Sequence, residues 1–125
     1  MTPEQEKICL MFDRIAHTYD PVNRILSMGQ DLRWRAVLAR KIQTLPKNNL
    51  IALDIATGTA DVLLTLGAQC PNIIKGYGVD IAEKMLEIGQ KKVVSLGLEH
   101  KLFLSRADAA SLPFTDHSID LVTIS

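Results

Sequence analysis

The sequence predicts an α/β domain built on an open, mostly parallel, doubly wound sheet. Three observations lead there. The stretch Leu50 to Ala60, LIALDIATGTA, carries a largely apolar run into Asp54, turns at a glycine, and resumes helical spacing over Asp61 to Ala68. Downstream, short apolar runs alternate with helical patterns, the order expected of parallel strands joined by helical crossovers. With 47% hydrophobic residues, a 125-residue chain has enough apolar surface for one core of ordinary domain size.

The elements follow in order. Pro3 to Ala16 sets Ile8, Leu10 or Met11, Phe12 and Ile15 at roughly helical steps, with Thr2 as N-cap and Pro3 in the first turn. His17-Thr18-Tyr19-Asp20-Pro21 breaks that pattern, because a residue before proline is pushed out of the α region. Asn23 to Met28 reads as a short helix ending at Gly29. Asp31 can cap a longer helix from Leu32 to about Thr44, with Leu32, Trp34 or Arg35, Leu38 and Ile42 on one face. Trp34 reads as a core residue of that helix. Pro46 to Asn49 is a turn. Residues 1–46 are expected to form a helical cover, and residues 47–125 the half-domain that carries the sheet.

Leu50–Ile55 is the first strand of the alternating part, and Asp61–Gln69 a helix closed by Cys70-Pro71-Asn72. Ile73–Val79 is a second strand, weakened by Gly76 and Gly78. Ala82–Leu96 is an amphipathic helix with Met85, Leu86, Ile88 or Gly89 and Val93 inward, Met85 being read as core, and Gly97 is a good stop. Lys91-Lys92 reads as a solvated helix end. Leu102–Ser105 is a third strand and Ile119–Ser125 a fourth, with Asp116 and Asp120 as turn and strand-start residues. Such an apolar final run is normally buried on both faces, and ending there would leave a sticky edge. The chain is therefore expected to be the N-terminal part of a longer enzyme, truncated after the fourth strand.

Composition removes several function classes. Fourteen basic and fourteen acidic residues balance, and no Lys/Arg block appears, which argues against a nucleic-acid partner. Cys9 and Cys70 are far apart, without metal-like spacing, and read as reduced thiols. No signal peptide or bilayer-length apolar run is visible, and mean hydropathy is +0.13. A cytoplasmic domain with no metal is the expectation.

Two nucleotide classes use a strand, tight turn and helix in this way. The dinucleotide fingerprint G-x-G-x-x-G would need glycine where this chain has Gly58, Ala60 and Leu63, so it fails twice. For S-adenosylmethionine the usual pattern is an acid ending the first strand, three residues, then G-x-G; here that is Asp54, then Gly58-Thr59-Ala60. Asp80, ending the second strand, suits a bidentate contact to ribose hydroxyls. Ile81 after it suits packing on adenine, and Asp108, after the third strand, suits the adenine amino group. Each acid also has a plain reading as a cap or a solvated turn; together they mark the C-terminal ends of the strands, where open sheets bind ligands.

The run FDRIAHTYDPVNRILSMGQDLRWR, Phe12 to Arg35, resembles the N-terminal signature of the demethylmenaquinone and ubiquinone-pathway C-methyltransferases. Its Y-D-x-x-N-x-x-L-S-x-G with a Trp beyond is matched by Tyr19, Asp20, Asn23, Leu26, Ser27, Gly29 and Trp34. LDIATGTADVLL, GVDIAEKMLEIGQKK and DAASLPFTDHSIDLVTIS are similar to later parts of the family, so the resemblance covers nearly the whole chain. It implies a Rossmann-like class I methyltransferase sheet, with S-adenosylmethionine contacts at Thr59, Asp80, Asp108, Ala109 and Ser125. The implied reaction is methyl transfer to a ring carbon of a polyprenyl quinol, with His17, Tyr19 and Asp20 as candidate bases in the cover. Nearby alternatives are another small-molecule methyltransferase of this class and a non-catalytic cofactor-binding fragment. A bilayer-held substrate implies peripheral contact with the inner membrane face, for which the apolar face of residues 8–15 is the candidate. Ala60 stands where a second loop glycine is usual, which is tolerable only at negative φ. Asp31 stands where some members carry His.

Overall fold

Residues 24–27, 32–108 and 119–124 are described by a computed structural model of the chain. In chain order the elements are β1 (Arg24–Ser27), α1 (Leu32–Gln43), β2 (Leu50–Ile55), α2 (Asp61–Gln69), β3 (Ile73–Asp80), α3 (Glu83–Ser95), β4 (Leu102–Arg106) and β5 (Leu121–Ile124). The strands form one sheet in the order β1-β5-β2-β3-β4, and every ladder is parallel. From β2 the chain builds outward through β3 and β4, then returns to the other side of β2 as β5. The crevice over β2 and β5 is therefore the switch point at which open α/β sheets hold ligands.

Period-two alternation decides which face each strand residue serves. Leu50 and Ala52 of β2 pack with Leu38, Ala39 and Ile42 of α1, Val62 and Leu66 of α2, and Leu121 of β5. Leu63 and Leu64 of α2 meet Val93 of α3 and Leu102 of β4 on the same side. Leu53 and Ile55 face the other way, with Val79 and Val122. Gly76 and Gly78, which weaken β3 as a sequence, are what let α2 sit on it. A Cβ at Gly76 would lie 2.8 Å from Leu102 and 2.9 Å from Leu63, and one at Gly78 2.7 Å from Leu104.

Most expected boundaries hold within a residue or two, and three assignments change. Arg24–Ser27, expected within a short helix, is a strand pairing Ile25 with Val122 and Leu26 with Thr123. Parallel pairing with β5 outweighs weak local helical preference. Trp34 is not core: it is 54% exposed, while Leu38, Ala39 and Ile42 are buried and Arg35 takes the inward place beside them. Met85 is likewise 48% exposed, and the buried stripe of α3 is Leu86, Gly89 and Val93. Gly97 stops that helix as expected: at φ 67° it lets Leu98 N–H reach Val93 O and Gly97 N–H reach Val94 O.

Two polar clamps tie the layers. Asp120 accepts Ile51 N–H at 2.9 Å and pairs with Lys47, pinning the start of β5 to β2. Lys101 Nζ donates to the carbonyls of Gly67 and Cys70, covering the C-terminal end of α2. Burial lowers the Lys101 pKa, and it raises that of the Cys70 thiol, against a smaller opposing pull from Lys101.

Candidate functional site

The loop from Ala56 to Ala60 crosses the C-terminal ends of β2 and β3 and is laced to the second. Thr57 N–H donates to Val79 O at 3.0 Å, and Gly58 N–H to Asp80 Oδ2 at 2.9 Å. The other carboxylate oxygen of Asp80 accepts Ala82 N–H at 2.8 Å, which sets the entry into α3. A carboxylate has about four acceptor positions, so Asp80 keeps capacity for further donors. Beside it Ile81 is 66% exposed, and Met85 comes up behind Gly58, its sulfur 3.9 Å from where a Cβ would stand. An acid flanked by uncovered apolar side chains can take a polar diol and a flat ring side by side.

Alternate loop residues are left-handed: Ala56 at φ 56°, Gly58 at 58° and Ala60 at 71°. The expectation that Ala60 needs negative φ is thus overturned. Left-handed alanine costs about 1–2 kcal/mol. Its fully buried methyl, packed among Leu63, Val93 and Leu102, offsets part of that, and its carbonyl starts α2 by accepting Leu64 N–H.

Asp54 lies beneath the loop with 0% exposure, and Thr123 Oγ1 of β5 donates to its Oδ1 at 2.7 Å. Position 54 therefore sits inside the sheet, joined to β5 across the switch point. Thr57 is buried nearby, and its hydroxyl has no hydrogen-bond partner among the described residues. Thr59 is held from α3: Lys92 Nζ reaches its hydroxyl at 3.1 Å and Asp61 Oδ1 at 2.8 Å. Lys92 is thus no freely solvated helix end. Arg35 of α1 approaches the same Asp61 at 3.9 Å. Gly89 of α3 permits this closeness, since a Cβ there would stand 3.1 Å from Thr59 C and O.

Gly58 and Asp80 are thus in contact. Asp108 is exposed just beyond β4, next to Ala107, whose N–H donates to Asp80 O at 3.1 Å. The switch point brings the loop, Asp80 and Asp108 to one end of the sheet. Ala109, Ser125, Asp116 and the candidates His17, Tyr19 and Asp20 lie outside the described residues, as does the 8–15 face. Sequence reading did not single out Thr123, gave Lys92 only as a solvated helix end, and gave Gly89 only as one option for the inward face of α3. Their only signal was that strands 4 and 5 and helix 3 must converge on one end. An open groove of about 700 Å³, lined by residues including Arg35, Asp61, Leu64, Ile88 and Lys92, runs along the helices rather than over Asp80.

Comparison with known proteins gives this site a setting. The chain is 39% identical over 124 residues to a ubiquinone/menaquinone biosynthesis C-methyltransferase of Geotalea daltonii, covering 99% of this chain and 52% of that protein. It is 36% identical over 122 residues to a demethylmenaquinone methyltransferase of Porphyromonas gingivalis, covering 98% and 49%. In three dimensions it is similar to a SAM-dependent methyltransferase from Thiobacillus denitrificans solved with S-adenosyl-L-homocysteine. The TM-score is 0.63 and the identity 18%, over 94% of this chain and 42% of that one, a likeness of fold. The chain spans about half the length of the curated relatives it matches. The profile of the ubiE/COQ5 methyltransferase family matches residues 1–125, and the chain belongs to that family.

Proposed function

We propose that this chain is the cofactor-binding half of an S-adenosylmethionine-dependent C-methyltransferase that methylates a ring carbon of a polyprenyl quinol such as demethylmenaquinol. The observation that carries the reading is the Asp80 carboxylate, oriented by the Gly58 and Ala82 amides with Ile81 uncovered beside it. That donor chemistry fits the cofactor: Asp80 accepts the ribose hydroxyls, Ile81 packs on adenine, and Asp108 with Ala109 meets the adenine edge. Gly58 and Thr59 flank the methionine end, and Asp54 stiffens the loop from below. The resemblance adds a contact from Ser125. The names of the relatives supply the substrate class.

The cofactor, when bound, supplies a sulfonium methyl group, and the protein's task is to align it with the acceptor carbon. His17, Tyr19 or Asp20, ahead of the sheet in the sequence, takes the quinol proton, and loss of that proton raises electron density at the ring. The helical cover expected over residues 1–46 does not hold as a whole, because Arg24–Ser27 joins the sheet and α1 packs into its core. Among the described residues no helix is long and apolar enough to cross a membrane. The enzyme works from the cytoplasm, at the inner membrane face where its substrate resides.

Calorimetric titration of S-adenosylmethionine into the chain tests this, with NADH as control. Saturable binding that is lost in Asp80→Ala and weakened in Asp80→Asn, both still folded by circular dichroism, is expected. Binding of NADH instead, or cofactor binding indifferent to Asp80, would overturn it. Transfer to demethylmenaquinol by the longer chain tests the substrate.

A further inference from the structure

The chain is neutral overall, yet α1 (LRWRAVLARKIQ) carries Arg33, Arg35, Arg40 and Lys41 and no acid. These cations are not spread evenly. Arg35 turns inward toward Asp61, while at 100° per residue Arg40, Arg33, Val37, Lys41 and Trp34 share one outward arc. Trp34 is 54% and Val37 37% exposed, and Arg40 and Lys41 are exposed beside them. A short helix with its aliphatic stripe in the core thus presents a second surface of cations around an uncovered indole. Indole prefers the boundary between water and hydrocarbon, and Lys and Arg there meet anionic headgroups.

We propose that this outward face of α1 docks on an anionic lipid bilayer surface. Arg40 and Lys41, on a helix with no acid of its own, plus the apolar wedge of Trp34 and Val37, complement that surface. A nucleic-acid groove would call for a larger basic footprint than this neutral chain offers. The position is apt as well. Arg35, next to Trp34, approaches Asp61, which directly follows the glycine loop. The Trp34 end of α1 is therefore the end nearer the glycine loop. This rests on the quinol reading only for its purpose, not for its geometry.

Trp34 is the one tryptophan in the chain, so its emission reports directly on the face. The chain is titrated with vesicles of phosphatidylcholine alone and of phosphatidylcholine mixed with phosphatidylglycerol. A blue shift is expected with the anionic vesicles only, reversed by salt. Arg40→Gln and Lys41→Gln should each lower partitioning about fivefold, from roughly 1 kcal/mol per surface cation. Trp34→Ala should weaken co-sedimentation, and Trp34→Phe should largely restore it. Cofactor titration of the Arg40→Gln/Lys41→Gln double variant should match the parent, so failure of docking and failure of the methyltransferase reading are told apart. No shift with either vesicle, an equal shift with both, or indifference to the two cations would overturn the proposal. Tighter binding to single-stranded RNA, lost in the same double variant, would reassign the face to nucleic acid and also overturn it.

Discussion

Gly89→Ala offers a prediction whose sign is diagnostic. In an unobstructed helix interior the change would stabilise by about 1 kcal/mol, through helix propensity alone. Here the new methyl would stand 3.0 Å from Leu104 Cδ1 and 3.1 Å from Thr59 C and O. Carbon atoms at rest prefer about 3.5–4.0 Å, so something must yield by several tenths of an ångström. Leu104 can rotate; the Thr59 backbone, between Gly58 and Ala60 in the left-handed region, has little freedom. Overpacking of this kind costs about 1–3 kcal/mol. The net expectation is a destabilisation of up to about 2 kcal/mol, read as a lower urea midpoint at constant m. Because the displaced atoms belong to the loop, cofactor affinity should fall as well, with about 1 kcal/mol of lost preorganisation giving roughly fivefold in Kd. Gly97→Ala is the control. It has φ 67° and open space around it, so it should cost about 1 kcal/mol without changing affinity. A Gly89→Ala protein that is more stable than its parent and binds cofactor equally well would refute the close packing of α3 on the loop.

Other outcomes follow from the same geometry. Thr123→Val should cost about 1.5–3 kcal/mol in urea unfolding by removing a donor to the buried Asp54, and Thr123→Ser should recover most of it. Ala60→Gly relieves about 1–2 kcal/mol of left-handed strain and forfeits about 0.8 kcal/mol of methyl burial, so unfolding should place it within about 1 kcal/mol of the parent. Cofactor titration of that variant should show affinity at least equal to the parent's. Cys70 keeps its proton longer folded than unfolded, so its contribution is whole below pH 9.0 and is lost as pH rises through the raised folded value. Lys101, lowered by burial, acts with the opposite sign as pH approaches 10.5. Stability of Cys70→Ala should therefore fall less than that of the parent as pH is raised above 9.0, and thiol reagents should modify native Cys70 slowly.

The parts legible in the sequence were those with an unambiguous period or stop. Leu50–Ile55 and Asp61–Gln69 lie where alternation and turn chemistry put them, and Gly97 ends α3. Helical periodicity fixes a face only to within a neighbour. Trp34 and Arg35 were both admissible inward, and Asp61, distant in sequence, gave Arg35 a partner there. Met85 looked like core because its spacing suits α3, yet it faces the open end beside Gly58. The acids at the strand ends were legible as a set, though not the division of labour between a buried Asp54 and a half-buried Asp80. That depends on Thr123 and on the loop amides, whose positions are set only once β5 enters the sheet. For Arg24–Ser27 nothing local favoured a strand; its reason is the ladder it forms with β5, nearly a hundred residues on.

The place of β5 also sets an order of events during folding. β2, β3 and β4 are neighbours in sequence as well as in the sheet, so they can zip together as soon as their crossovers form. β1 cannot join them. Among the described strands its only partner is β5, and pairing Arg24 with Leu121 closes a loop spanning nearly the whole chain. The entropic cost rises slowly, by about 0.6 kcal/mol for each doubling of loop length, so the contact is affordable at equilibrium but late in time. On the ribosome, Arg24–Ser27 would emerge well before Leu121–Ile124 and wait for that partner. Until Leu121–Ile124 arrives, the flank of β2 is an open parallel edge, and that interval is when a nascent chain of this design most needs a chaperone.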